Sequence, residues 1–570
     1  MEITQTYARP SAATLERGSL TLDVAAERSR PEVSLDATVG PGAAYARAMV
    51  ALRAVVVGDQ RPAQRDHSDY QRWVQERYLD ELSAAQAESA RQLPGLLQRR
   101  AALLERIGTL EQETRDLNRR AWKLQDTPSF RRAQQGFFGW LWSHAKELSR
   151  VLDPVVSVHP DGVFFEAFSQ DESSYGRVSL PLAALEVAGD VRYGTTNIDF
   201  SAALAREVAR VRTYRPARLR IGAEAVALAT GAGSVVEKKI DLPPTWVRGF
   251  LQVQSAAALP GTDLRLSAGT VVDVLSILAR RRERAGPRSL RFLLAPGERP
   301  RIVVEPWDVV IAEPVHTYDG PAGEPVRVWG RRRLAALRSL LPHADEVRVR
   351  LLGSGLPSFW SAIQGGVRFD PGLSGWTSNA WARSASFDLL ASTGHAAPRE
   401  VVRAALLLEA HLRLTPAEVA AEMGTSREAA AAALQRLCRE GRAMYDHVAG
   451  VYRWRQLFPA QLRLEEEAED PRTGYARQLL GRGAVEWAGP PQPVEGAVRY
   501  VALVHGERDF EVTLELDADG RARYAQCTCS AYRRDKLRKG PCQHILATGA
   551  LAAGRVVRAA RETDVETARG

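Results

Sequence analysis

Apolar residues between positions 44 and 126 recur every three or four residues, which is the period of an amphipathic helix. Pro94-Gly95 interrupts this pattern and allows the chain to turn back. The heptad seam that follows consists of Leu103, Ile107, Leu110, Thr114, Leu117, Ala121 and Leu124. The pattern predicts a helical region at 44–153, which forms either a hairpin packed on its own domain or a coiled coil. In the second case the 96–124 helix would assemble an oligomer.

Residues 154–390 change to short alternating stretches separated by helical ones, and this pattern predicts an α+β region. The order strand, turn, strand and helix occurs twice in it. Val156–Val163 is similar to Ile302–Val309, and Leu182–Leu185 matches Leu334–Leu337. These matches indicate two related lobes, while chance similarity stays open as the alternative.

Two clusters in this α+β region allow more than one interpretation. The stretch from Phe359 to Trp381 is rich in tryptophan and glycine, so it is either a recognition loop or a loop pinned to a core. Arg331-Arg332-Arg333 begins a predicted helix, where the dipole disfavours positive charge, and it is either an anion contact or a solvated face. The sequence has no nucleophile elbow and no phosphate-binding glycine loop, so we expect neither catalysis nor a small-molecule substrate.

The pattern of residues 395–459 predicts three helices followed by a hairpin, with capping boxes at the start of the second and third helices. This arrangement resembles the winged helix-turn-helix fold. In that fold Arg427 and Arg436 would lie on the helix that reads DNA bases, and Arg453 would lie in the wing. The alanine run Ala429–Ala433 offers few side chains that can read bases, so a protein-interaction role stays open.

The composition is ordinary for a soluble globular protein, with 45% apolar and 25% charged residues in a chain of 570 that predicts several domains. The formal net charge of +9 is mild for this length and does not by itself indicate nucleic acid. We find no secretory signal pattern and no apolar run near the ~20 residues of a membrane span, so we expect a cytoplasmic protein without a membrane partner. Residues 1–43 form a polar segment of unassigned role, and 460–494 a linker helix and a proline-rich linker.

The candidate chemistry lies in residues 495–570, which contain three of the four cysteines. They occur as Cys527-Thr-Cys529, a twelve-residue spacer, and Cys542-Gln-His544. The first pair follows an alternating run, so we expect both sulfurs to end a strand and point to one place. The second pair precedes an apolar run typical of a helix, whose N-terminus favours a thiolate. Three sulfurs and one imidazole predict one tetrahedral, structural zinc ion, held by Cys527, Cys529, Cys542 and His544.

This ligand pattern, after a hairpin and before a short helix, resembles the SWIM-type zinc finger, and all four ligand positions are filled. The hairpin is predicted at Val498–Val504 and Phe510–Leu516, and Asp517–Gly520 is a turn signal. The resemblance covers residues 495–556. It implies a small, treble-like ββα finger that binds DNA or protein.

The spacer of the predicted finger carries five basic residues against one acidic residue. The basic residues are Arg533, Arg534, Lys536, Arg538 and Lys539. They favour either phosphate binding that is blind to sequence or a basic surface that offsets the thiolates. We expect a zinc-binding, non-catalytic adaptor that binds nucleic acid through the winged helix and the finger. The alternative is a protein-interaction scaffold, because the layout resembles bacterial SWIM proteins that accompany MoxR-type AAA+ ATPases and von Willebrand factor A proteins, sometimes in conflict or defence systems.

Overall fold

The chain is described by a computed structural model over most of its length. The described parts are the strands 12–16 and 19–23 and residues 33–58, 154–197, 202–212, 217–222, 226–230, 233–236, 244–284, 286–375, 381, 386–391, 396–457, 470–506 and 508–554. All of these except residues 283, 284 and 286 belong to one compact unit. The predicted heptad seam, and the oligomer that it would form, lie outside the described residues. No helix within the described ranges is long and apolar enough to cross a membrane.

Helices and antiparallel sheets both occur in the described ranges, which confirms the predicted α+β class. The α-helices are Gly42–Val56, Ala202–Arg210, Pro244–Ala258, Ala268–Arg280, Pro398–His411, Pro416–Met423, Arg427–Arg439, Pro471–Gly481, Ser530–Asp535 and residues 543–554. The 3₁₀-helices are Leu182–Ala184, Arg331–Ser339, Leu341–His343 and Phe387–Leu389. Local signals define their ends. Thr415 and Glu418 form the capping box that starts Pro416–Met423, and Gly424, with a φ of +62°, ends it.

The largest described sheet is antiparallel and has eight strands. Their spatial order is Thr262–Leu266, Glu346–Leu351, Ser358–Gln364, Val367–Leu373, Ser174–Pro181, Gly162–Phe168, Val155–His159 and Gly194–Asn197. Successive residues of a strand point to opposite faces, yet Val155–His159 and Gly162–Phe168 are buried at every position. Both faces of this part of the sheet are therefore covered by other elements.

One face of the eight-stranded sheet packs against the helix Gly42–Val56. The ring of Tyr45 lies 6.2 Å from that of Phe165, centroid to centroid. The helix approaches the sheet closely at Gly176, where a Cβ atom would lie 3.1 Å from Leu52 Cδ1. Glycine at this position therefore allows the helix and the sheet to meet.

Smaller antiparallel sheets complete the described fold. A five-stranded sheet has the order Gly233–Val236, Val226–Thr230, Ala217–Ile221, Leu35–Val39 and Leu185–Val187. A four-stranded sheet has the order Val309–Ala312, Arg301–Val304, Leu290–Leu293 and Val326–Val328, and Ala12–Glu16 pairs with Ser19–Asp23. The strand Leu35–Val39 thus joins the N-terminal segment to the middle region. The two strand–turn–strand motifs occur in different sheets, and their common origin stays a prediction.

The arginine cluster at 331–333 is used inside the fold. Arg331 donates to the carbonyl oxygens of Ser289, at 2.7 Å, and of Glu305. Arg332 donates to the last carbonyls of the helix Ala268–Arg280, and Arg333 lies 3.6 Å from a buried carboxylate. Arg331 and Arg333 are buried. The sequence suggested either a contact with an external anion or a solvated face, and neither interpretation fits these two residues. Phe359, Trp360 and Trp381 are also buried. Phe359 and Trp360 belong to the strand Ser358–Gln364, so the expected loop is wrong at these two positions.

The predicted three helices and hairpin of residues 395–459 are present. The helices Pro398–His411, Pro416–Met423 and Arg427–Arg439 are followed by a small sheet whose strand order is Arg413–Leu414, Val451–Trp454 and Ala443–Asp446. The third helix packs against the first two, against the strand Ala443–Asp446, and against Pro244–Ala258 of the middle region.

Much of the third of these helices is enclosed by protein. Residues 430–435 are all buried. Gln435 Nε2 donates to Ser255 Oγ at 2.6 Å, and the Tyr452 hydroxyl donates to Gln435 Oε1 at 3.2 Å. The alanine run that suggested a poor reader of bases is therefore a packing surface. Small side chains let the helix approach its neighbours closely.

The other face of the eight-stranded sheet carries a buried ion-pair network that holds this hairpin. Asp446 accepts from three guanidinium groups, those of Arg177 at 2.9 Å and Arg368 at 3.5 Å in the sheet and that of Arg453 at 3.1 Å in the hairpin. Arg177 also contacts Asp370 at 3.1 Å, and Arg453 contacts Asp161 at 2.7 Å. The side chains of Arg177 and Asp446 are 3% and 2% exposed. Because an unpaired buried charge is costly, the hairpin is stable here only while each member keeps its partner.

A second buried pair lies beside this network. Arg455 donates to Glu166 Oε2 at 2.6 Å, and the Tyr175 hydroxyl donates to Glu166 Oε1 at 2.6 Å. Burial lowers the pKa of His447 to about 3, so this side chain stays neutral and adds no charge. Donors from the sheet and from the hairpin therefore satisfy the same carboxylate, and the two elements form one packed body.

We predict that Asp446→Ala lowers the free energy of unfolding by about 3–5 kcal/mol, because it leaves two buried guanidinium groups without their shared carboxylate. The measurement is urea unfolding followed by circular dichroism. Asp263→Ala is the matched control, since that carboxylate is 66% exposed and its contact with Arg350 is a surface pair. A surface pair contributes about 0–1 kcal/mol. Equal losses in the two variants would contradict a stabilising role for the network.

Candidate metal centre

The four candidate ligands come from the end of one strand and the starts of two helices. The strand Ala522–Cys527 ends at the first ligand, and Cys529 is the N-cap residue of the helix Ser530–Asp535. Cys542 and His544 lie at the start of the helix 543–554. The expectation that the first two cysteines share a strand is therefore correct only for Cys527.

The ligand atoms of these four residues lie within 4.8 Å of one another, and all four residues are buried. His544 Nδ1 lies 3.6 Å from Cys527 Sγ and 4.0 Å from Cys542 Sγ. Bonds of about 2.3 Å to sulfur and about 2.0 Å to nitrogen place these two atom types about 3.5 Å apart around a tetrahedral ion. The donor set and its spacing therefore fit zinc, with Nδ1 as the imidazole ligand atom.

Backbone and ring contacts orient the ligands. The Cys529 N–H donates to Cys527 Sγ at 3.4 Å, and the Tyr532 N–H donates to Cys529 Sγ at 3.4 Å. Hydrogen bonds from the thiols of Cys527 and Cys542 lower the pKa of Cys529, so a thiolate is favoured there. The Phe510 ring stacks on His544 at a centroid distance of 4.5 Å, which fixes the plane of the imidazole.

Sequence reasoning missed the support that the helix Pro471–Gly481 gives to the site. Arg472 Nη1 donates to the carbonyl oxygens of Lys539, at 2.9 Å, and Pro541, at 3.1 Å, directly before Cys542. Asp470 holds the same guanidinium at 2.5 Å. No local pattern marks this contact, because 67 residues separate Arg472 from Lys539.

The sheet of the finger is larger than the sequence suggested. Its strands are Val485–Trp487, Gln492–Val494, Ala497–Val504, Phe510–Leu516 and Ala522–Cys527. The predicted hairpin is present, with Val498 opposite Leu516. The stretch predicted as a proline-rich linker contributes Gln492–Val494, which pairs with Ala497–Val504. Its prolines are tolerated because this strand lies at an edge of the sheet.

The finger also contacts the three-helix region. Arg427 Nε lies 2.9 Å from Asp519 Oδ1, and the Arg521 guanidinium lies 5.4 Å from the centre of the Tyr445 ring. Asp519 is in the turn that the sequence indicated. Arg427 therefore joins the finger to the third helix, a use that its predicted role in reading bases did not include.

The remaining two residues predicted for the winged helix have other environments. Arg436 is exposed and forms an i,i+4 pair with Glu440 at 3.0 Å. Arg453 is 2% exposed and lies in the buried network. The hairpin packs the Arg453 side chain against the sheet, so its contact with nucleic acid stays a prediction that this burial does not favour.

The spacer between the two ligand pairs forms the helix Ser530–Asp535 and a turn. Arg538 in the turn donates through Nε to the carbonyl oxygen of Asp535 at 2.8 Å and through Nη2 to that of Arg534. These carbonyls at the helix end have no intrahelical partner, so the guanidinium caps them. Arg538 thus stabilises the spacer.

The four other basic residues of the spacer are exposed. They are Arg533, Arg534, Lys536 and Lys539. Asp535 contacts Arg534 at 2.9 Å and Lys539 at 3.8 Å. The Lys536 ammonium lies 5.2 Å from the centre of the Tyr532 ring. Four exposed cations therefore face solvent with one carboxylate among them.

Comparison with known proteins agrees with the metal centre. The family model for the SWIM zinc finger matches residues 510–548, which include all four ligands. No curated protein matches the chain. The matched family covers only this part of the chain.

Part of the chain is similar to solved sliding-clamp structures. PCNA from Thermococcus kodakaraensis has 17% identity and a TM-score of 0.28, over 39% of this chain and 89% of that chain. The PCNA2–PCNA3 complex from Sulfolobus tokodaii has 12% identity and a TM-score of 0.29, over the same shares. Proliferating cellular nuclear antigen from Entamoeba histolytica has 11% identity and a TM-score of 0.28, over 39% and 88%. At such TM-scores the similarity carries no conclusion about this chain.

The geometry and the family match together support one structural zinc site. Four protein ligands leave no open position for a water molecule, so the ion would organise the finger and would not activate a substrate. The ligands supply three negative charges and the ion two positive ones, which leaves one negative charge for the basic spacer to balance.

We predict that Cys529→Ser reduces bound zinc from one ion per chain to less than about a tenth and unfolds the finger. Zinc binding contributes about 10–16 kcal/mol in small fingers, more than a core of this size provides. Elemental analysis measures the metal, and hydrogen exchange over residues 510–548 measures the fold. Cys438→Ala is the control, because Cys438 is the one cysteine outside the cluster and its variant should keep a full zinc ion. Full occupancy in Cys529→Ser would contradict the site.

Proposed function

We propose that the chain is a non-catalytic adaptor whose zinc finger binds the phosphate backbone of a nucleic acid. The observation that carries this proposal is the exposed group of Arg533, Arg534, Lys536 and Lys539, with Asp535 as its one carboxylate. The group holds a net charge of +3, from four cations and one anion. The zinc–thiolate centre carries one negative charge, which a single cation would balance. The remaining positive charge is therefore available to bind an external anion.

Aromatic groups lie beside these cations. Tyr524 is 45% exposed, and the ring of Tyr532 carries the Lys536 ammonium. An exposed ring near several cations suits single-stranded nucleic acid, because the ring can stack on a base while the cations follow the phosphates. Such binding depends on salt and tolerates any sequence.

The three-helix region would support the finger in this proposal. Its element order and hairpin support the predicted winged-helix fold. Residues 430–435 of its third helix are buried against neighbouring elements, so the alanine run is not available to a major groove. We therefore assign base reading to neither the helix nor the wing, and the ion pair of Arg427 with Asp519 gives this region the task of positioning the finger.

We predict that Arg533→Glu with Lys536→Glu weakens binding of a fluorescein-labelled single-stranded DNA by about tenfold or more at ~0.1 M salt. Loss of two phosphate contacts should also reduce the slope of log affinity against log salt by about 1.4. Fluorescence anisotropy measures both. These two positions leave the ion pairs of Asp535 intact.

The matched control for this pair is Arg206→Glu with Arg399→Glu, which changes the net charge equally at two other exposed positions. Both variants must retain one zinc ion. An affinity and a salt slope equal to those of the control would count against the finger as the binding surface.

A protein-interaction scaffold is the second candidate, and one observation favours it. Val402 and Leu406 lie one turn apart on the helix Pro398–His411 and are 56% and 62% exposed, and neighbouring exposed apolar side chains are typical of protein interaction sites. The partners that the sequence resemblance implies are a MoxR-type AAA+ ATPase and a von Willebrand factor A protein.

We predict that the purified chain, mixed with that ATPase from the same host, forms a complex of higher native mass than either component. Light scattering after gel filtration measures this mass. Chain treated with chelator until it has lost its zinc is the control for the contribution of the finger. Components that elute separately at micromolar concentration would exclude this partner.

A further inference from the structure

A second basic surface lies far from the finger in sequence, where the helix Ala268–Arg280 ends. Residues 280–288 contain five arginines and one glutamate. Arg280, Arg281, Arg282 and Arg288 are all exposed. None of them took part in the predicted functions, although the run is as basic as the spacer of the finger.

Neighbouring carboxylates do not account for these arginines. On a helix the partners of Arg280 would be the residues three and four positions earlier, and these are Ile277 and Ser276. Among the described residues, no carboxylate forms an ion pair with Arg280, Arg282 or Arg288. The surface residue Arg218 differs in this respect, since it lies 2.7 Å from a carboxylate.

The helix dipole does not account for them either. Cations are favoured at a helix C-terminus, where backbone carbonyls are left without partners. Arg332 already occupies that position, because its Nη1 donates to Leu278 O at 2.6 Å and its Nη2 donates to Arg281 O at 2.9 Å. The exposed arginines of the run are additional to this cap.

Contacts below the surface bring the two ends of the run together. Arg331 donates to Ser289 O at 2.7 Å, directly after Arg288, while the adjacent Arg332 holds the carbonyl of Arg281. The Trp307 ring lies 5.9 Å from the Arg281 guanidinium and 5.3 Å from that of Arg331. The backbone at both ends of the run is therefore anchored to one pair of adjacent residues, and the exposed guanidinium groups share one surface.

We propose that Arg280, Arg281, Arg282 and Arg288 form a phosphate-binding surface for the backbone of a nucleic acid. Guanidinium groups bind phosphate oxygens bidentately, and several of them on an open surface match a chain of phosphates better than a single small anion. Trp307 holds Arg281 in place through its ring. The contacts are made to phosphates, so binding is independent of base sequence.

This surface is a second contact for the nucleic acid in the proposed function, although its own argument does not use the finger. The test uses the full-length, zinc-loaded chain with a fluorescein-labelled single-stranded DNA, the duplex of the same sequence and the matching RNA. The variant is Arg280→Glu, Arg282→Glu and Arg288→Glu. The control, with an equal change in net charge, is Arg206→Glu, Arg248→Glu and Arg399→Glu, three exposed positions elsewhere.

The variant should bind its best probe at least about tenfold more weakly than the control at ~0.1 M salt, and its salt slope should fall by about 2–3. If charge reversal lowers the unfolding temperature, the neutral variant Arg280→Gln, Arg282→Gln and Arg288→Gln should still lower the slope. Equal affinity and equal salt slope in the variant and the control would contradict the proposed surface. Failure of the native chain to bind any of the three probes would also contradict it.

The two surfaces can fail separately. If the Arg533 and Lys536 variant loses binding while the arginine-run variant binds fully, the arginine run is excluded as a binding surface and the finger is retained. The reverse result would establish the arginine run and remove the finger contact. Intermediate losses in both would show that one nucleic acid spans the two surfaces.

Discussion

The shared carboxylate of Asp446 is the contact on which the arrangement of the described fold depends. It accepts from Arg177, 269 residues earlier in the chain, and from Arg453 in its own hairpin. Both guanidinium groups are buried, and separation of the hairpin from the sheet would break the contacts of Arg177 with Asp446 and of Arg453 with Asp161. The position of the hairpin places the third helix against Pro244–Ala258. The third helix, Arg427–Arg439, in turn contacts the finger through Arg427.

The zinc centre stabilises the other end of this series of contacts. Its ligands come from a strand end and a helix start, and four buried donors organise a small sheet that has a limited core of its own. Arg472 and Arg538 bind backbone carbonyls around the centre and thereby fix the spacer. The metal and these two arginines hold the exposed cations of the spacer in a defined arrangement, which distinguishes the finger from a flexible basic tail.

Arginines with the same sequence context have different roles in this chain. Arg331-Arg332-Arg333 and Arg280-Arg281-Arg282 are both runs of three. In the first run the guanidinium groups bind carbonyl oxygens and a carboxylate. The second run is exposed, and among the described residues no carboxylate pairs with it. The first run enables the second, because Arg332 caps the helix from which Arg280 and Arg281 extend. Net charge alone, at +9 for the whole chain, could not separate these cases.

The sequence by itself determined the features that depend on near neighbours. The zinc ligands followed from the two short ligand pairs, the helix starts from Thr415 and Glu418, and the finger hairpin from alternating residues around Asp517–Gly520. Only the tertiary structure decided which charged side chains remain exposed. Arg453 and Arg331 are buried, and Gln435 meets Ser255 across 180 residues. Periodicity and capping act within one or two turns or strands, while burial depends on which distant elements pack together, and no local pattern contains that information.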